Sequence, residues 1–278
     1  MSELSGAETC AMSRSTRVRS VMFAAFVIGA GGLARADDAS HQAGGTGPVG
    51  QMTEPDSLGK ESGTPPPAMR LRAVVANAWD DAIDTWKRLF QAQASEIETV
   101  HLSFVTHLSP TDCYGLYAGD GPVYCSANRT VFVGTDAANR LMSQFGPQGE
   151  AGITFLIGHE IGHHIQNVYG RFELFSRVLA RAPASRTELA RRFELEADCV
   201  AGVWIHASHA WANSPAFRSG LLEVVKSIGD DGILVRAGGS TGPMPGVHGT
   251  SEQRARWFAR GLDGGDLNAC DTLRATQL

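Results

Sequence analysis

The stretch Gly158-His159-Glu160-Ile161-Gly162-His163-His164 holds the residues best placed to do chemistry. It contains H-E-x-x-H, the spacing with which one turn of helix offers two metal-ligating imidazoles and a carboxylate base. At about 100° per residue, positions i and i+4 lie roughly 40° apart, so His159 and His163 project from one face. Glu160 sits on the rim of that face, within reach of a metal-bound water without being a ligand itself. Phe155, Leu156, Ile157, Ile161 and Ile165 flank these groups, so the helix is expected to be buried with its polar face turned into a site. Five-residue matches also arise by chance, and an ordinary helix with satisfied histidines is the competing interpretation.

A catalytic zinc needs three protein ligands and an open position. Phe193-Glu194-Leu195-Glu196-Ala197-Asp198-Cys199 offers the third. Glu194 and Asp198 are spaced i, i+4 and share a helix face, and Glu196 points away from them. We read Glu194 as the third metal ligand. Asp198 is expected to accept a ring N–H from His159 or His163 and so set that ring's tautomer. Such a pair could also be a solvated charged face. Leu195, Ala197, Val200, Val203 and Trp204 argue for burial instead, and buried carboxylates need partners.

These residues must be positioned by helices, and the pattern supplies them. Residues 69–94 form an amphipathic helix in which Trp79 and Trp86, one heptad apart, are packing residues. Residues 100–105 alternate as a strand, and neither His101 nor His107 has ligand spacing to another histidine. Residues 130–134 form a second strand and 136–146 a short helix ending at Gly146-Pro147. The motif helix spans about 150–169, with Gly170 as its stop signal. After a break at Pro183, a long helix runs over about 186–210. Its expected cap is Ser185 or Thr187, with Glu188 completing a capping box. Residues 210–229 follow no recognisable pattern. We take His164 and His206 as structural.

The 278-residue chain can form one large domain or a domain with appendages. Its net charge of −5, with no basic run interleaved with aromatics, argues against a nucleic-acid partner. Arg14, Arg17 and Arg19 precede an apolar run over 21–33 and then Ala34-Arg35-Ala36, the layout of a signal peptide over residues 1–36. An uncleaved membrane anchor is the alternative, but the run is short for a bilayer span. Residues 37–68, rich in Gly, Pro and Ser, form a disordered linker, and 69–278 the functional domain. Export, periplasmic or secreted, follows from either version of the leader.

Cysteine usage suits that compartment. Setting aside Cys10, an even set remains: Cys113, Cys125, Cys199 and Cys270. Four cysteines allow three pairings. Cys113–Cys125 is favoured because the intervening residues resemble a hairpin loop, whose closure contributes about 3 kcal/mol. Cys199–Cys270 would then tie the C-terminal tail to the second key helix.

Three segments carry a resemblance: Gly158 to Gln166, the run ELEADCVAGVW from Glu194, and HGTSEQRARWF from His248. Together with Cys113 and the Gly-Pro-Val-Tyr-Cys run ending at Cys125, they resemble the bacterial neutral zinc metallopeptidase family over roughly residues 70–275. The E-x-x-x-D helix also resembles the wider gluzincins. The resemblance implies a helix-rich α+β, zincin-like domain, with a short sheet and two packed site helices. It further implies one zinc per chain and a zinc metalloendopeptidase acting on peptide or protein substrates. In such enzymes a strand beside the active helix pairs with extended substrate. Residues 130–134 are a candidate for that role, and an ordinary inner strand is an equally good assignment. His248 lies in a family motif without an assigned role: oxyanion donor, ligand partner or helix cap. The adjacent Thr250-Ser251-Glu252-Gln253 favours the cap. The alternative function is a non-catalytic secreted zinc-containing binding or scaffold protein, although a binding module has no need of Glu160. Hydrolysis of another carbonyl substrate, such as a cell-wall peptide amide, would use the same chemistry.

Overall fold

The computed structural model describes residues 67–108, 113, 121–236 and 246–278. The proposed leader and most of the proposed linker lie outside the described residues. Helix α1, Pro67–Gln91, buries a stripe of Leu71, Val75, Ala78, Ala82, Trp86 and Phe90. This is the helical recurrence that brings one side of α1 against the core. Among the described residues, no helix is long and apolar enough to cross a membrane.

Three short strands follow: β1 (His101–Val105), β2 (Val123–Cys125) and β3 (Thr130–Gly134). They form one sheet in the order β1-β3-β2, with β1 parallel and β2 antiparallel to β3. All five residues of β3 are buried, as expected of a β-branched, aromatic strand with neighbours on both sides. Of the two assignments open for residues 130–134, the inner strand is therefore the one realised. Both of its edges are already paired, and β2 is the edge strand that meets the motif helix.

Helix α2 (Thr135–Gln144) and a turn at Gly146–Gln148 lead into α3 (Gly149–Val168), the motif helix. Helix α3 is buried on almost every side, packed against α1, α2, β2, α5 and α6. Tyr169 caps its C-terminus, and Gly170 takes the left-handed conformation (φ 69°) that favours glycine. Helix α4 (Arg171–Arg181) and a 3₁₀ turn at Pro183–Ser185 precede α5 (Arg186–Ala207). The expected capping box is not formed. Ser185 makes no side-chain cap, because it closes the 3₁₀ turn with its N–H bonded to the Ala182 carbonyl. Glu188 instead pairs with Arg192 at 2.9 Å.

Helix α5 lies against α3 at backbone distance, and glycine makes this possible. A β-carbon on Gly158 would fall 2.4 Å from the Trp204 ring, and one on Gly162 would fall 2.8 Å from the Ala197 carbonyl oxygen. These two glycines flank His159 and Glu160 on α3, so the close approach brings the acids of α5 to the histidines. The segment without a recognisable pattern proves to be helix α6 (Pro215–Ser227), followed by α7 (Asp230–Arg236). Pro215 opens α6 at its first turn, and Leu221, Val224 and Val225 are buried against the core. Helix α8 (Ser251–Gly264) packs along α5, and a last 3₁₀ turn at Leu267–Cys270 carries the tail.

Both favoured disulfides are formed. Cys113–Cys125 fastens the end of β2, and Cys199–Cys270 joins α5 to the final turn across 71 residues. The result is a helix-rich α+β domain with a small three-stranded sheet.

Candidate metal centre

His159, His163 and Glu194 meet, each offering one ligand atom within 4.8 Å of the others. The imidazole orientations are set from behind. His159 places Nδ1 2.8 Å from Asp198 Oδ1, so Nδ1–H donates to the carboxylate. Of the two histidines left open as its partner, Asp198 holds His159. His163 places Nδ1 2.7 Å from Gln166 Oε1. The Gln166 Nε2 donates to the Phe193 carbonyl at 2.8 Å, which turns its oxygen toward His163 and makes that ring a donor at Nδ1 as well. Both Nε2 atoms therefore face Glu194. His159 Nε2 lies 3.1 Å and His163 Nε2 3.5 Å from Glu194 Oε2.

Those distances fit a metal. A tetrahedral zinc with ligands at about 2.0–2.1 Å spaces its donors about 3.4 Å apart. Two imidazoles and one carboxylate are also a donor set that zinc accepts.

Electrostatics make the same point. Burial alone would depress His159, but the hydrogen bonds it donates to Asp198 and Glu194 outweigh it and push the ring up to about 10. His163 is also raised: its burial is overcome by the charge of Glu194 and the hydrogen bond to it. Burial opposes ionisation of Glu194, yet the charge of His163 and the bond from His159 hold its carboxyl well below the usual range. Without a metal, His159 keeps a proton on the nitrogen that faces Glu194.

Glu160 stands beside this group and is buried. Its Oε2 accepts the backbone N–H of Tyr124 at 2.7 Å, from the outward edge of β2. Burial pushes the Glu160 carboxyl up, and the charges of His159 and His163 partly restrain it. Tyr124 is itself clamped. Its hydroxyl meets His164 Nδ1 at 3.1 Å and accepts from Asn167 Nδ2 at 2.9 Å, while His164 Nε2 donates to the Glu98 carbonyl. His164, with burial lowering its pKa, is thus a neutral strut between α3 and the sheet. His206 is also structural, held against the Leu262 carbonyl at 2.9 Å.

Asp198 receives a second support absent from the sequence reading. Arg254 on α8 binds it through two nitrogens at 2.9 and 2.7 Å. Burial resists the charged Asp198, but Arg254 and then His159 hold its carboxyl below the ordinary value. A signal for this existed. Arg254 stands between a helix cap and Trp257-Phe258, where a buried guanidinium needs a carboxylate. Gln166, three residues after His163 on the same helix, offered no comparable cue.

His248 is not the helix cap expected of it. Thr250 caps α8, its side chain accepting from Gln253 N while the Gln253 side chain accepts from Thr250 N. His248 sits at the mouth of the cleft, with Nδ1 3.2 Å from Asp230 Oδ1. Asp230 also accepts the backbone N–H groups of His248 and Gly249, each at 3.0 Å. The cleft over the site encloses about 540 Å³.

Fold and site together define a helix-rich α+β domain around a two-histidine, one-glutamate cluster that could hold a metal ion. The chain belongs to the family described as "Putative neutral zinc metallopeptidase", whose model matches residues 15–273. Membership implies zinc as the metal and peptidase activity at the level of the family. The protein is similar to the uncharacterized protein YpfJ of Escherichia coli K12, with 32% identity over 194 residues, 68% of this chain and 67% of the relative. It is also similar to the uncharacterized protein Rv2575 of Mycobacterium tuberculosis H37Rv, with 32% identity over 225 residues, 76% of this chain and 72% of the relative. No solved structure matches the chain.

Proposed function

We propose that the protein is an exported zinc metalloendopeptidase that hydrolyses peptide bonds, with His159, His163 and Glu194 as zinc ligands and Glu160 as general base. The observation that carries this reading is the convergence of both Nε2 atoms on Glu194, with Glu160 alongside them in a cleft. Zinc held there supplies a Lewis acid that lowers the pKa of a coordinated water toward neutrality.

The protein's own residues do the rest. Asp198 and Gln166 keep both rings in the tautomer that presents Nε2. Glu160 takes the proton of the attacking water and passes it to the leaving amine. The Tyr124 amide fixes one carboxylate oxygen of Glu160, leaving the other for the water. Burial of Glu160 raises its basicity, so the carboxylate takes the proton of the water more readily while its conjugate acid is still acidic enough to pass that proton on. The leader-like N-terminus and the two disulfides support export. A non-catalytic scaffold would give no use to a buried base positioned by an edge strand.

The test is bound zinc per chain, measured on the mature protein and on Glu194→Ala, beside hydrolysis of an unfolded protein with and without chelator. We expect about one zinc in the wild type, weaker binding in the variant and chelator-sensitive cleavage. A folded wild type that takes up no zinc would sink the enzyme reading at its root.

A further inference from the structure

The cleft does not end at the metal centre. It shares a wall with a neighbouring trough of about 860 Å³, and Leu141, Phe145, Ile228 and Ile233 line both hollows. All four are apolar and come from separate places in the chain: α2, the turn after it, the residue ending α6, and α7. Leu156 lies one helical turn before Glu160 on α3 and lines the cleft too, so the wall begins on the Glu160 side of the site.

The wall is held rigidly. Phe145 lies flush on α3 because residue 152 is glycine; a β-carbon there would fall 2.1 Å from the ring. The Ile228 carbonyl accepts from Arg254 Nη1 at 3.3 Å, and the same guanidinium holds Asp198. Wall and ligands therefore share one frame. The outer rim of the trough is polar, and its acid, Glu223, is met by Lys226 at 3.2 Å. Nothing there calls for a charged guest. Ile233 is nonetheless 48% exposed, one of the few exposed large apolar side chains among the described residues. A contiguous apolar surface left open beside a polar site is what binding sites use for affinity.

We infer that this wall receives a bulky apolar side chain of the substrate, such as Leu, Ile, Met or Phe, from a residue adjoining the scissile bond. The inference rests on the peptidase reading and narrows it: the substrates are extended polypeptide segments carrying an apolar residue beside the cleaved bond. Continuity decides the occupant. An extended chain advances about 3.3 Å per residue, so a peptide with its carbonyl at Glu160 sets a neighbouring side chain against Leu156 and the wall beyond.

Two measurements test it. In the first, zinc-loaded Glu160→Gln is titrated calorimetrically with two unstructured octapeptides, identical except for Leu-Leu or Gly-Gly at the centre. The Leu peptide is expected to bind at least about ten-fold tighter, the lower end of what such a pocket gives per group. Ile233→Lys, a change at an exposed position, and Leu141→Ala should each shrink that ratio toward one. In the second, wild type cleaves a reduced, unfolded protein and the new ends are mapped; an apolar residue should stand on one constant side of the cleaved bonds. Equal binding of the two peptides, or an undiminished ratio in both variants, overturns the inference. Cleavage without apolar enrichment also overturns it while leaving the peptidase reading intact. A Leu preference in binding, with no hydrolysis by wild type, keeps the apolar pocket and removes the peptidase.

Discussion

Helix α5 carries three carboxylates within five residues, and its two faces use them differently. Glu194 and Asp198 face α3, where each meets an imidazole, although Asp198 is also held from behind by Arg254. Glu196 faces the opposite way and is buried too. It is gripped by Arg171 through two nitrogens and touched by the Thr272 hydroxyl, and Arg171 also holds Asp271 at 2.9 Å. On that face the cation cannot release its proton at accessible pH, and the cluster ties α4, α5 and the tail together. On the other face each ring keeps one nitrogen whose proton a metal can replace. Both sides carry largely buried carboxylates, and an arginine takes part on each. What separates chemistry from scaffolding is whether the partner has a position that can exchange.

The widest separation should come from Glu160→Gln. It keeps shape and the Tyr124 bond but cannot take a proton, so turnover should fall by about 10²–10⁴-fold, with bound zinc unchanged. Paired assays of hydrolysis and metal content check this. Retained hydrolysis would remove Glu160 from its proposed role.

On the opposite face, Arg171→Ala should behave the other way round. It leaves Glu196 buried and uncompensated, which typically costs about 3–5 kcal/mol. Chemical denaturation should report that loss while zinc per folded chain stays at the wild-type value. A variant that lost metal affinity as strongly as stability would show that the two faces are not separable.

Asp198→Asn tests the boundary, since Asp198 is buried between Arg254 and His159. The amide cannot hold His159 as strongly in the ligating tautomer, so zinc affinity should drop by about 10–100-fold. Acidity should act in the same direction in the wild type. His159, pushed up to about 10, keeps its second proton in the metal-free protein at neutral pH, and His163 is shifted in the same direction by the charge of Glu194 and the hydrogen bond to it. Zinc must displace the proton on His159, so affinity should rise with pH and fall on acidification. Competition titrations from pH 6 to 8 with a chromophoric chelator would measure the slope; a flat profile contradicts the protonated resting site.

How much of this was legible follows from sequence separation. His159, Glu160 and His163 declare themselves by spacing on one turn, and Glu194 and Asp198 by spacing on another. Local periodicity encodes those geometries, and the structure brings both sets together. Strand β3 was readable for the same reason, from a β-branched run bounded by turns. The supports were not. Arg254 reaches Asp198 across 56 residues, and the Tyr124 amide reaches Glu160 across 36. A backbone donor leaves no trace in residue type. Ser185 failed as a cap because the preceding Pro183 had already bent the chain into a 3₁₀ turn, a tertiary choice that local propensity does not register. Helix α6 was missed because its buried residues are few and polar residues interrupt them.

The smallest expected effect sits at the start of α8. Thr250 and Gln253 form a complete capping box there, and one turn later Arg254 enters the site. Thr250→Ala removes the acceptor for the Gln253 N–H, and such losses cost about 1 kcal/mol. Because α8 is held along α5 by packing, and the turn that follows its far end is tied to α5 by the Cys199–Cys270 bridge, the helix should fray only at its first turn. Thermal unfolding should register the change, with zinc affinity unaltered. Reduced affinity would mean that the position of Arg254 depends on the cap as well as on its bidentate grip on Asp198. The metal-facing side of α5 would then extend, through one arginine, into the end of a helix that otherwise reads as scaffold.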